Sequence, residues 1–170
     1  GERVQRMFGM LRSLMDEQNE SKFTLLFSQI ESQEDYTDRM EIEIARFLEQ
    51  VSESHLSDET KAKVRQMLRE VGELESIGDA CYNLARTQNR LQATGKDFTA
   101  NQRTQLQAMM ALCDDALTQM NTIMSGHRYE HDIRDSYRIE NDINQLRQRL
   151  KSENIRVVDE REYDYAVGTF

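Results

Sequence analysis

The sequence predicts an all-α protein, a tandem of antiparallel three-helix bundles with the second cut short: about five long helices plus the start of a sixth. Three observations carry this. The 170 residues contain no proline, where average usage near 5% would give about eight, and only seven glycines. Ala, Leu, Met, Glu, Gln and Arg are abundant instead, and side chains unbranched at Cβ keep their rotamer freedom in a helix. Apolar residues recur at three- and four-residue spacing along most of the chain.

Met7, Met10, Leu11, Leu14 and Met15 set a first helix at about residues 3–19, closed by the polar step Asn19, Glu20, Ser21, Lys22. Phe23, Leu26, Phe27 and Ile30, then Met40, Ile44, Phe47, Leu48 and Val51, mark a long second helix to about Ser52. Residues 54–57 read as a loop. Ser57 followed by Asp58 and Glu59 signals a helix start, because a hydroxyl accepts an orphan N–H and acids favour the positive helix end. The third helix, 58–91, carries Val64, Met67, Leu68, Val71, Leu74, Cys81, Leu84 and Leu91, and Thr94, Gly95 and Lys96 close it. Thr99 with Gln102 forms a capping box opening a fourth helix, whose stripe is Leu106, Met109, Met110, Cys113, Leu117, Met120 and Met124. Ser125 and Gly126 end it. A fifth helix, 129–151, carries Ile133, Ile139, Ile143, Leu146 and Leu150, and after a polar step Tyr163, Val167 and Phe170 begin a sixth. The order of lengths repeats, and an offset of 106 lays Glu34, Asp38 and Met40 over Glu140, Asn144 and Leu146. Two repeats follow, 1–92 and 93–170, the second incomplete.

Charge and cysteine usage narrow the function classes. With 22 Lys plus Arg against 31 Asp plus Glu the formal charge is −9, which argues against nucleic acid and favours cationic partners. Cys81 and Cys113 lie far apart in apolar helical patterns, as expected of reduced thiols. The longest stretch without Asp, Glu, Lys or Arg, 116–127, has 12 residues, short of the roughly 20 that span a bilayer. No signal peptide is evident, and a leading Gly1 without Met is what tag removal leaves, so an excised, soluble piece of a longer chain is expected.

Two apolar seams are interrupted by acids. On the second helix, steps of three and four give Phe27, Ile30, Glu34, Thr37, Glu41, Ile44, Leu48 and Val51, with Asp38 one turn beyond Glu34. On the third they give Val64, Leu68, Val71, Glu75, Gly78, Tyr82 and Ala85, with Asp79 one turn beyond Glu75. Buried carboxylates cost several kcal/mol each unless paired, protonated or bound to a cation. Two Glu-x-x-x-Asp pairs on neighbouring helices would offer four oxygen donors to Mg²⁺, Ca²⁺, Mn²⁺, Fe or Zn²⁺. The alternative is that these acids only flank the seam and are solvated. Gly78 inside a helix costs about 1 kcal/mol relative to Ala, which points to a close approach by a ligand or by another helix.

Glu75-Ser76-Ile77-Gly78-Asp79, followed by Ala80, Cys81, Tyr82, Asn83, Leu84 and Ala85, resembles the E-R-I-G-D-x-x-x-N-I/L-A helix of PhoU-like domains. The segment running Asp35-Tyr36-Thr37-Asp38-Arg39-Met40-Glu41-Ile42-Glu43-Ile44 is similar to the matching helix in the cytoplasmic C-terminal domain of bacterial sodium/phosphate cotransporters. The resemblance covers most of the chain. It implies two three-helix repeats, regulation of phosphate uptake without catalysis, and iron or zinc held by Glu34, Asp38, Glu75 and Asp79. The second repeat departs, since Asn144 stands where the motif has an acid, and the last such helix would lie beyond Phe170. The resemblance also implies a membrane-spanning part ahead of Gly1, so that the domain would sit on the cytoplasmic side of the inner membrane. Its partner would be the transporter domain of the same or another chain.

Other candidates are weaker. His127 and His131 are four apart among Arg128, Glu130 and Asp132, a solvated helix start, and His55 has no partner in sequence. The methionine stripe of the fourth helix reads as core or partner surface. No histidine follows a glutamate by three, as a di-iron carboxylate oxidase requires, and no Gly-rich phosphate loop or H-E-x-x-H is present, so no enzyme is expected. An incomplete second bundle leaves apolar stripes uncovered, and a homo-oligomer is expected to bury them.

Overall fold

The computed structural model describes residues 1–52, 56–126 and 133–159. Those residues form five helices and no strand: α1 (Glu2–Asp16), α2 (Glu20–Ser52), α3 (Asp58–Ala93), α4 (Ala100–Met124) and α5 (Ile133–Asp159). The all-α class follows from the absence of breakers. The chain divides into two compact units, one Arg6–Arg86, the other Gly1–Gln5 with Thr87–Phe170. Helix α3 supplies residues to both.

In the unit Arg6–Arg86, α1 buries Met7, Leu11 and Leu14 of the expected stripe together with Phe8 on its flank, while Met10 and Met15 are half-buried. Asn19 starts α2 rather than only ending α1: its side-chain oxygen accepts from Lys22 N at 3.0 Å, and its own N–H donates to Glu17 Oε1. Phe23, Ile30 and Leu48 are the buried side chains of α2. On α3, Val64, Cys81 and Ala85 are buried, and Ser57 caps the helix by accepting from Thr60 N at 3.3 Å.

Met7 lies beside Gly78 and Thr37, so it marks how far α1 extends along the α2/α3 pair. Within this unit α1 contributes only Arg6 ahead of Met7. Beyond Thr37, α2 runs on to Ser52, roughly 22 Å at 1.5 Å per residue. That end is a two-helix hairpin. Met40, Phe47 and Met67, expected on apolar faces, are exposed there, Phe47 by 63%, because two helices cannot cover a stripe that a third helix would bury.

In the second unit, the side chain of Gln5 ties the first turn of α1 to α4, donating to Thr118 Oγ1 at 2.8 Å and accepting from Asn121 Nδ2 at 2.6 Å. Thr94 and Gly95 end α3, with Gly95 at φ 69°, a left-handed conformation open to glycine. The Thr99–Gln102 capping box forms in both directions, and Gln102 is buried in making it. Helix α4 packs on α5, where Gln119 Nε2 donates to Ser136 Oγ at 3.5 Å; Leu117 is buried, Met109, Met110 and Met120 are half-buried and Met124 is exposed. Helix α5 runs past residue 151 to Asp159, because no glycine or proline interrupts it and Val157 extends the buried series Ile139 and Leu146. Ile133 is exposed rather than inward. The start of the fifth helix at 129, the loop at 54–55 and the sixth stripe of Tyr163, Val167 and Phe170 lie outside the described residues.

The cap gives a local test. Thr99→Ala removes an acceptor for an orphan N–H and is expected to cost about 1 kcal/mol, read as a lower urea midpoint, whereas Thr99→Asp should hold it.

Candidate metal centre

Helices α2 and α3 run antiparallel, because Glu31 bonds Tyr82 while Thr37, further along α2, meets Gly78, earlier on α3. Positions 31, 34 and 38 advance along α2 by three and four, and 82, 79 and 75 go back along α3 by the same steps. Acids therefore stand opposite one another in successive turns.

One carboxylate oxygen from each of Glu34, Asp38 and Asp79 falls within 4.8 Å of the others, and all three side chains are half-buried. Metal–oxygen bonds are about 2.0–2.6 Å, so that spacing is close to what two oxygens across one cation require. Asp38 Oδ1 is shielded from solvent and has no hydrogen-bond partner among the described residues. Glu75, the fourth expected ligand, is outside this group of three. It is still near enough for Asp79, Asp38 and Glu41 to act on it.

Electrostatics follow from the crowding. The Glu34 carboxyl titrates above its usual range, first through burial and then through the charges of Asp38, Asp35, Asp79 and Glu31. Glu75 is also raised, by burial first and then by Asp79, Asp38 and Glu41, with the Ser76 hydroxyl opposing. The leading charges acting on both are carboxylates. This donor set, hard, anionic and carrying an orphaned buried oxygen, fits a divalent cation.

Gly78 explains how the helices come so close. A Cβ there would stand 3.2 Å from Thr37 Oγ1, and that hydroxyl is held by the Glu34 carbonyl at 2.8 Å and the Gln33 carbonyl at 3.2 Å. The close approach is to another helix. Tyr82 and Glu31, joined at 2.8 Å, were not among the expected site residues, although their three-residue steps from Asp79 and Glu34 place them on the same faces. Cys81 is buried and Cys113 half-buried, neither in a disulfide, with burial pushing the Cys113 thiol up. His55, His127 and His131 lie outside the described residues.

These features define a helical-bundle domain whose polar chemistry is concentrated in a carboxylate cluster on one helix pair. The PhoU domain model matches residues 1–87, half of the chain and all four expected ligands, and the chain belongs to the PhoU family. That family consists of regulatory, non-catalytic helical domains of phosphate transport. No curated protein and no solved structure matches the chain significantly.

Two outcomes are expected. Alanine at 78 adds helix propensity of about 1 kcal/mol, but overpacking costs about 1–3 kcal/mol, so Gly78→Ala should lower the thermal midpoint and adding Thr37→Ala should recover part of it. The second concerns pH. Raised pKa values in the fold mean that the ionised carboxylates destabilise it above those values, and the penalty lifts as pH falls through them towards the unfolded range. Metal-free protein should thus gain stability from this cluster on acidification from neutral pH. Glu34→Gln and Glu75→Gln should raise the neutral-pH midpoint and flatten that dependence in thermal scans.

Proposed function

We propose that this chain is the non-enzymatic regulatory domain of a sodium-dependent phosphate transporter, acting from the cytoplasmic side of the inner membrane through helix-surface contacts. The observation that carries it is the facing of Glu34, Asp38 and Asp79 across α2 and α3 inside a PhoU domain. Its partner is the transporter's membrane domain, in the same or a partner chain. The −9 charge suits that partner, since cytoplasmic loops of membrane proteins are rich in Lys and Arg. No helix among the described residues is long and apolar enough to cross a membrane.

Glu34, Asp38 and Asp79, with Glu75 beside them, would hold iron or zinc. When bound, the cation supplies positive charge that offsets their repulsion and ties α2 to α3. The helix faces around the cluster then become a stiffer docking surface. Self-association belongs to the same proposal. An apolar groove of about 460 Å³ lies between α4 and α5, lined by Met120, Ile123, Ile139 and Ile143, with Glu140 and Asn144 at its edge. A second copy covering it would bury what two helices leave open.

A second possibility is a helical protein-interaction module without metal, favoured by the exposure of Phe47 and Met67. Titration with Zn²⁺, Mn²⁺ and Fe²⁺ separates the two. Wild type is expected to take up metal and Asp79→Asn to bind at least about tenfold more weakly, as loss of a ligand implies. Identical negligible uptake by both overturns the metal part. In cells carrying the full-length protein, Asp38→Asn and Glu75→Gln should alter phosphate uptake, and unchanged uptake and metal content would favour the second possibility. Sedimentation should show a dimer or larger species, and a monomer that binds no hydrophobic dye would refute self-association.

A further inference from the structure

We infer that Tyr82 is a positioning residue for the carboxylate cluster, its hydroxyl fixing through Glu31 the register at which α2 presents Glu34 and Asp38 to Asp79. The inference rests on the metal reading above and adds a residue that touches no cation. Tyr82 Oη donates to Glu31 Oε1 at 2.8 Å. Tyr82 lies one turn from Asp79 on α3 and Glu31 one turn from Glu34 on α2, so this bond joins the two helices at the level adjoining the cluster.

The phenol is held where the bond needs it. Its ring is tilted against Phe27, centroids 6.2 Å apart, and the Arg86 guanidinium lies 5.7 Å from its centroid. The hydroxyl therefore acts from a braced ring rather than from a swinging side chain. Beside the cluster on its other flank, the Thr37–Gly78 approach supplies a steric pin. The carboxylates thus lie between a polar pin and a steric one.

Such pins matter because the cluster opposes its own assembly. The leading charges acting on Glu34 and Glu75 are those of neighbouring acids, and sliding one helix by a residue moves it about 1.5 Å and turns its side chains by about 100°. That slip would disperse Glu34 and Asp38 from Asp79. The Thr37–Gly78 approach and the Tyr82–Glu31 bond both oppose it, and the bond also holds the Glu31 carboxylate at its own level, outside the group formed by Glu34, Asp38 and Asp79.

Mn²⁺ titration of the intact chain, followed by the loss of the free-ion electron paramagnetic resonance signal, tests this with three variants. Tyr82→Phe keeps the ring and removes the donor; its affinity should fall about tenfold, the effect of losing an outer partner that orients ligands. Glu31→Ala should fall equally, and the double variant should be no weaker than either single. Glu31→Gln removes the charge but retains an oxygen acceptor, so it should bind close to wild type. A merely structural tyrosine would lower the thermal midpoint of Tyr82→Phe and leave Mn²⁺ affinity unchanged, which overturns the inference. Glu31→Gln falling as far as Tyr82→Phe overturns it too, since charge would then outweigh register. No uptake of Mn²⁺, Zn²⁺ or Fe²⁺ by wild type defeats the metal reading and this inference together, whereas uptake insensitive to Tyr82→Phe defeats this inference alone.

Discussion

Helices α2 and α3 approach each other so closely at Thr37 and Gly78 that a methyl group on Gly78 would crowd the threonine hydroxyl. Much of the Arg6–Arg86 unit follows from that contact. It sets the level at which Met7 of α1 packs, and it brings acids on the neighbouring turns of both helices into range of one another. Carboxylates repel, so the approach has to be enforced by something other than the acids themselves. A residue without a side chain, a threonine whose hydroxyl is tied to its own helix backbone, and a tyrosine bonded across the pair provide that enforcement. Burial first and the neighbouring acids second raise the titration of Glu34 and Glu75, a cost that a bound cation would offset.

The same pair of helices shows what the bundle leaves unfinished. Past Thr37 the hairpin has no third helix within its unit, and Phe47 and Met67 stand in solvent. In the other unit α4 and α5 leave a groove with methionine and isoleucine walls. Uncovered apolar helix faces and a strong negative charge are the surface features on which the proposed contacts rest.

Much of the fold was legible from spacing alone. Met7, Leu11 and Leu14 read as inward-facing and are fully buried, and the Thr99–Gln102 box caps as its residue types require. Met40, Phe47 and Ile133 read equally as inward-facing and are exposed, since periodicity identifies an apolar face without saying whether a neighbour is present to cover it. The extension of α5 to Asp159 was hidden for a related reason: its polar step Ser152, Glu153 and Asn154 lowers apolar density without supplying a breaker. At the cluster, the acidic interruptions at Glu34, Asp38 and Asp79 were legible and come together, whereas Glu75 falls outside the tight group. Tyr82 was legible only as a seam position and Glu31 not at all, because a cross-helix hydrogen bond depends on the register between two segments and not on either segment's own pattern.

By itself the sequence determined that this chain is helical, where α2, α3 and α4 start and stop to within a few residues, that it is acidic, and which acids interrupt apolar seams. These are local properties, set by backbone propensity, capping chemistry and the 3.6-residue period. Only the tertiary structure decided that Gly78 meets Thr37 of the neighbouring helix, that three of the four acids converge, and that Tyr82 holds Glu31 beside them. The reason is geometric: residues some forty to fifty positions apart meet only through the sliding and rotation of one helix against another, two degrees of freedom that packing sets.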